Sequence, residues 1–294
     1  MRFFAYPYEM TATLLVRGED AADFLQSQFS NDLRPFSAGQ CTYGLWLDVK
    51  GKILADSWVL CDSEESFWIF SEHCEGRGIM DKLEQHIIAD DVELDSAPQA
   101  GGLVLMGEPG GEGFPGADAQ LCSFSGRRSR MPSRELVFPD PGSRSAWMDG
   151  QDFEIVSGEW MQNERMKAGV PVVGVEALPG DLPAEAGLVE DAVSLTKGCF
   201  LGQEVVARMH NIGRPQRKLF TLSGSGDAPE PPGPVANEAG KSLGELRTSL
   251  RAPEAGAAGW QGVAMLKSRF VACGESVALG ERPATVENAY TGMS

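Results

Sequence analysis

Along the first 95 residues, strand-length and helix-length patterns interleave without strict alternation, and no other feature narrows the possible folds as far. Residues 11–17 read as a strand. Asp20 then opens a helix over 21–29, whose Ala21, Phe24, Leu25 and Gln28 share one face. The runs 43–49 and 53–60 flank Lys50-Gly51-Lys52, the composition of a hairpin loop, and 66–71 is a third short strand. Ile79, Leu83 and Ile87 recur every fourth residue, the stripe of an amphipathic helix, before strand-like runs at 91–94 and 103–106. A doubly wound sheet needs strand and helix to alternate; this order predicts an α+β layered domain.

Glycine and proline punctuate the rest. Residues 107–117 carry too little apolar surface to pack and are expected as a loop. A helix is predicted over 159–168, stopping at Gly169, and 171–187 is broken by proline and glycine. Beyond it, short apolar runs (219–222, 263–266, 276–279) alternate with turn residues, as in a small antiparallel β-barrel. A boundary is therefore expected near Lys218. Residues 1–218 form one region, in two subdomains over about 1–96 and 97–218, and 219–294 form the barrel.

Charge and cysteine usage exclude several functions. Forty-two acidic residues against 25 basic give a formal charge of −17, which repels phosphate backbones and disfavours direct nucleic-acid binding. No stretch reaches the roughly 18 apolar residues of a membrane span, and Met1 to Pro7 carry no long apolar run. A cytoplasmic protein with no membrane partner is expected. The six cysteines (Cys41, Cys61, Cys74, Cys122, Cys199 and Cys273) include no CxxC pair, which argues against a zinc ribbon or a self-contained cluster loop. Reduced thiols are expected. With three histidines (His73, His86, His210), no metal site is expected.

The most informative stretch runs from Thr196 to Arg208. Gly198 and Gly202 bracket Cys199-Phe200-Leu201, allowing a tight turn and close backbone approach. A helix is predicted to follow, with Leu201, Val205 and Met209 on one face and Glu204 and Arg208 spaced to pair. Cys199 then sits near a helix N-terminus beside Lys197, and both favour thiolate. The competing reading is a small buried hydrophobe, the commoner fate of a lone cysteine. His210 lies about 16 Å away along a continuous helix, so no Cys–His dyad is expected.

Lys197-Gly198-Cys199-Phe200-x-Gly202-Gln203-Glu204 closely resembles the K-G-C-[YF]-x-G-Q-E signature of the YgfZ family and its mitochondrial iron–sulfur counterparts. Other segments resemble the family in the expected order. They are Gly18 with Asp23-Phe24-Leu25-Gln26 and Asn31-Asp32, then Asp48-x-Lys50-Gly51-Lys52, Arg165-x-x-x-Gly169-x-Pro171, Leu182-Pro183-x-Glu185-Ala186 and Gly244-x-Leu246-x-Thr248-Ser249. The likeness covers most of the chain and is weakest over 97–157.

The resemblance implies a fold like that of the glycine-cleavage aminomethyltransferase: N-terminal subdomains with ferredoxin-like strand and helix order around a tetrahydrofolate channel, then a C-terminal barrel. It implies a folate-binding accessory protein for iron–sulfur cluster assembly or repair. Iron–sulfur client proteins, including tRNA-modifying ones, would be its partners. The same resemblance makes Cys199 the functional thiol, with Lys197 beside it. Asp56, Trp160, Arg165 and Glu185 become contacts for tetrahydrofolate. Each of these four also has an ordinary structural reading, as a strand residue, a core tryptophan, or surface and cap charges. The acidic pair of the transferase is reduced to Asp56, with Ala55 in the other place. Lys167 stands where the transferase pattern R-x-E-x-G has glutamate, and a cation cannot accept ring N–H groups. Two alternatives remain, an aminomethyltransferase-type one-carbon transferase and a non-catalytic folate-binding scaffold.

Overall fold

In the computed structural model, which describes residues 3–108, 113–211, 213–252 and 259–290, two five-stranded sheets precede a closed barrel. The chain starts with β1 (Phe3–Glu9), β2 (Ala12–Arg17), α1 (Ala21–Gln28), β3 (Cys41–Leu47), β4 (Ile53–Ser63), β5 (Ser66–Ser71), α2 (Gly76–Glu84) and β6 (Glu93–Ser96). Strands β2 to β6 form one antiparallel sheet in the order β3-β4-β5-β2-β6. Without the edge strand β3, the remaining four strands and two helices keep the ferredoxin-like order. Phe24 and Leu25 of α1 and Ile79 and Leu83 of α2 are buried against Leu14, Val16, Val59 and Ile69. The two stripes read from the sequence thus cover this sheet.

β1 goes elsewhere. It pairs antiparallel with β7 (Gly101–Met106), and β8 (Cys122–Ser125) and β9 (Ser133–Phe138) extend that sheet. After α3 (Pro141–Met148), β10 (Phe153–Ile155) closes the other edge parallel to β1, giving the order β10-β1-β7-β9-β8. The sequence Phe-Phe-Ala-Tyr-Pro-Tyr-Glu predicts no strand because it lacks alternation and contains Pro7. Proline is tolerated because β10 pairs only as far as Ala5, leaving the rest of that edge free. Dividing the chain at residue 96 therefore separates β1 from its sheet partners. Of the loop expected over 107–117, residues 109–112 lie outside the described residues, as do Met1 and Arg2.

α4 (Gly158–Ala168) is capped by Ser157 and ends at Gly169, whose φ of 75° is the left-handed turn a glycine supplies. Short helices α5 (Pro183–Ala186) and α6 (Val189–Ala192) lead to α7 (Gln203–Asn211). The barrel comprises β11 (Arg217–Ser225), β12 (Gly233–Ala236), β13 (Ser242–Arg251), β14 (Gly259–Lys267), β15 (Ser276–Leu279) and β16 (Arg282–Ala289). It closes in the order β11-β14-β13-β12-β15-β16.

One apolar core joins the units. Tyr43, Leu45 and Ile53 of the first sheet meet Phe200 and Val206 of the cysteine segment and Leu219, Val263 and Met265 of the barrel. Burying Phe200 contributes about 1.5–3 kcal/mol. The helix face expected from Leu201, Val205 and Met209 is corrected here. Val206 is the buried residue of α7, and Leu201 precedes the helix. The hairpin decides this, because Gly51 lies against Val205 and Val206.

Candidate functional site

A cleft lies between the two sheets, and a β-bulge sets one wall. Trp46 pairs with Ala55 but Leu47 pairs with Ile53, so Leu54 is an extra residue. Asp56, opposite Leu45, shares a face with Tyr43, and the bulge brings Ile53 to that face as well, while Ala55 turns into the opposite core with Trp46. The Tyr43 hydroxyl donates to Asp56 Oδ2 at 2.8 Å, and the Cys74 thiol (3.3 Å) and Ser71 hydroxyl (3.4 Å) donate to Oδ1. Burial and then the Asp56 charge push the Cys74 thiol up to about 12, which keeps it a donor.

The facing wall carries charge. Arg128 Nε donates to Glu135 Oε1 at 2.8 Å, its Nη2 to Glu135 Oε2 at 3.1 Å and its Nη1 to Glu72. Tyr8 adds a 2.5 Å hydrogen bond to Glu135 Oε2, and its ring lies 4.2 Å from the Arg128 guanidinium carbon. Burial opposes the charge on Arg128, but Glu135 and Glu72 outweigh it, and its pKa is raised. Arg127 stacks 4.0 Å over the Tyr43 ring and donates from Nε to Asp191 at 2.7 Å. Trp58 and Phe70 complete an aromatic lining. The cleft holds about 50 Å³ of free space and opens to solvent at its mouth.

Of the residues singled out from the sequence, Asp56 and Arg165 line this cleft. The Arg165 guanidinium, however, is held by Glu176 through bonds of 2.9 and 3.0 Å and by the Val170 carbonyl at 2.7 Å. Trp160 and Glu185 are not among the lining residues. Trp160 packs 5.2 Å from the Phe4 ring in the core between the sheets. Glu185 caps the Leu182 N–H and binds Arg217 at 2.8 and 3.0 Å, joining α5 to the barrel. Lys167 also lies away from the cleft, with Nζ 3.3 Å from Glu164. Sequence reasoning missed Tyr8, Tyr43, Glu72, Arg127, Arg128 and Glu135. An adjacent arginine pair in so acidic a chain was the available signal.

The cysteine loop forms a second centre. Cys199 is exposed between two buried anchors, Lys197 and Phe200. Lys197 was expected as a cation beside the thiol; its amine instead donates to the carbonyls of Gln26 and Phe29, both at 2.6 Å, and of Asn31 at 2.8 Å. Those carbonyls lie at the end of α1 and in the turn just after it, where a buried ammonium satisfies them, which is the physical reason for the correction. Burial pulls the Lys197 pKa down to about 7. The Leu201 N–H donates to the Ser27 carbonyl at 3.1 Å. At Gly202 (φ 84°) a Cβ would stand 2.6 Å from the Asp48 carbonyl and 2.8 Å from Gly51 Cα. Three segments far apart in sequence therefore converge on Cys199: the end of α1, the β3–β4 hairpin and the loop itself. Asp191 links them to the cleft, since its carbonyl accepts from Asn31 Nδ2 at 3.4 Å and its carboxylate holds Arg127.

Fold and sites together define a GCVT-type scaffold, and residues 8–109 match the family described as the GCVT N-terminal domain. Glycine cleavage system aminomethyltransferase T from Bartonella henselae superposes with a TM-score of 0.75 at 18% identity, covering 98% of this chain and 86% of that one; at that identity the likeness is one of fold. In sequence, the chain is a relative of the mitochondrial iron–sulfur cluster assembly factor IBA57 of Homo sapiens, 28% identical over 80% of this chain and 71% of that protein. It is likewise related to the tRNA-modifying protein YgfZ of Edwardsiella ictaluri, 26% identical over 72% and 68%.

Proposed function

We propose that this protein is a tetrahydrofolate-binding accessory factor that supports iron–sulfur cluster assembly or repair, and through it iron–sulfur enzymes including those that modify tRNA. The observation that carries the reading is the pairing of a carboxylate-bearing aromatic cleft with an exposed thiol on a firmly anchored loop. The names of the relatives supply the iron–sulfur and tRNA context.

The cleft suits a reduced pterin chemically. Asp56 offers a carboxylate to ring N–H donors, and Trp58, Tyr8 and Phe70 offer flat faces. Its free space of about 50 Å³ is well below the roughly 300–1,000 Å³ usual for enclosed ligand sites. The inner free space holds only a few waters, so the pterin seats toward the mouth. Bound tetrahydrofolate would supply a carrier for one-carbon units. Tyr43, Ser71 and Cys74 fix the Asp56 carboxylate by hydrogen bonds, so that it meets the ligand already oriented. Lys197 and Phe200 hold the loop that presents the Cys199 thiol to a client. Ala55 faces away from the cleft and Lys167 lies outside it, which counts against the transferase alternative.

Titration of the purified protein with tetrahydrofolate, followed by tryptophan fluorescence, tests the cofactor. A saturable change is expected in wild type, and about 10–100-fold weaker binding in Asp56→Ala, the loss of one charged hydrogen bond. A flat response in wild type removes the folate claim. Cys199→Ser is expected to retain folate binding and to lower iron–sulfur enzyme activity in cells; unchanged activity overturns the role of the thiol.

A further inference from the structure

On the opposite face of β4 from Asp56 lies a second cavity, lined among others by Trp46, Ala55, Glu75, Ile79, Lys82 and Val173. It spans about 850 Å³ to its mouth, with about 370 Å³ of free interior against about 50 Å³ in the cleft. Its walls are mostly apolar, and Lys82 is 6% exposed. The Lys82 amine donates to Gln28 Oε1 at 2.6 Å and lies 5.5 Å from the centre of the Trp46 ring. Among the described residues no carboxylate pairs with it. A buried ammonium has three N–H donors to satisfy, and one amide oxygen leaves that demand unmet. Burial accordingly pulls its pKa down to about 7, so much of the amine is neutral and nucleophilic at neutral pH.

We propose that this cavity binds a small uncharged aldehyde, which condenses with Lys82 Nζ to form an imine. The nitrogen lone pair adds to the carbonyl carbon, and the oxygen takes a proton to give a carbinolamine. Loss of that hydroxyl with a proton from nitrogen forms the C=N bond and releases water. The balance needs neither oxidant nor reductant. Uncharged ligands are selected because the walls are apolar, Glu75 lies in the lining and the chain carries a net charge of −17.

The test uses propanal and cyanoborohydride with the full chain at pH 7, mapping the alkylated lysines by peptide mass spectrometry over time. Lys82 is expected to be labelled at least about ten-fold faster than the exposed Lys50, as a desolvated amine should be, with a rate that saturates in propanal. Gly78 is exposed at the edge of the same cavity and has open space where a Cβ would sit, so Gly78→Leu keeps the fold and sets a bulky side chain at the mouth, one helical turn from Lys82. That variant is expected to slow Lys82 labelling about ten-fold and leave Lys50 unchanged, the bulky side chain obstructing the ligand at the mouth. Labelling of Lys82 no faster than Lys50, or fast labelling that Gly78→Leu leaves untouched, overturns the proposal. Neither readout involves folate or Cys199, so the outcome is independent of the function proposed above.

Discussion

The cleft and the cysteine loop are built by opposite means. In the cleft, arginines, carboxylates and tyrosines are buried against one another, and side-chain partners such as Glu72 for Arg128, Tyr8 for Glu135 and Asp191 for Arg127 make the charges tolerable. In the loop the chemically interesting atom is in solvent, and its surroundings are tied through backbone carbonyls and a glycine. The cleft thus rests on paired side-chain charges, whereas the loop rests on backbone carbonyls and a glycine contact, although both draw partners from distant segments. Damage to the first should cost stability and ligand affinity together; damage to the thiol should cost neither.

The largest expected effect lies in the cleft. Arg128→Met leaves Glu135, which is fully buried, without its cation and should destabilise the protein by about 3–5 kcal/mol in urea unfolding. A loss below about 1 kcal/mol would show that the network is not what ties the two sheets. Next comes the junction of loop and hairpin. Gly202→Ala forces a left-handed residue against the Asp48 carbonyl and should cost roughly 2–4 kcal/mol, measured by thermal unfolding. A neutral result would mean that the hairpin does not brace the cysteine loop.

The third expectation concerns pH. Lys82 and Lys197 are held near 7 when folded, against 10.5 for an ordinary lysine. Between these values the unfolded chain binds more protons than the folded one, so stability should rise from pH 7 to about 9, by at most about 1.4 kcal/mol per pH unit for each lysine. Urea midpoints across that window should show the slope, and Lys82→Met should roughly halve it, leaving the Lys197 part; a falling slope in wild type contradicts both assignments. The smallest effect belongs to the thiol itself. Cys199→Ser should change stability by less than about 0.5 kcal/mol, as an exposed substitution does. In wild type, iodoacetamide should reach Cys199 well before the buried Cys61 and Cys122. Equal rates would mean that the loop is shielded in solution.

Much of this architecture is legible in the chain because it rests on periodicity. The stripes on α1 and α2, the β3–β4 hairpin, the stop at Gly169 and the C-terminal barrel all follow from residue spacing and turn chemistry. β1 is not legible, since its place depends on pairing with β7, some 100 residues on. The site divides in the same way. Asp56 and the exposed Cys199 can be found from motif and resemblance. Trp160 and Glu185 are redirected to packing and to Arg217, and the arginine pair lies where the resemblance is weakest.

By itself, the sequence settled the strands and helices of the first sheet after β1 and the helix that stops at Gly169, and that one cysteine stands between two glycines at the head of a helix. Local backbone preferences and hydrophobic period act within a few residues, so a linear reading reaches them. Only the tertiary structure decided that Lys197 turns inward, that Asp56 rather than Ala55 faces the cleft, and that Arg128 meets Glu72 and Glu135. Those outcomes depend on which distant group can satisfy a buried charge or carbonyl, and that choice is made when the sheets close on one another.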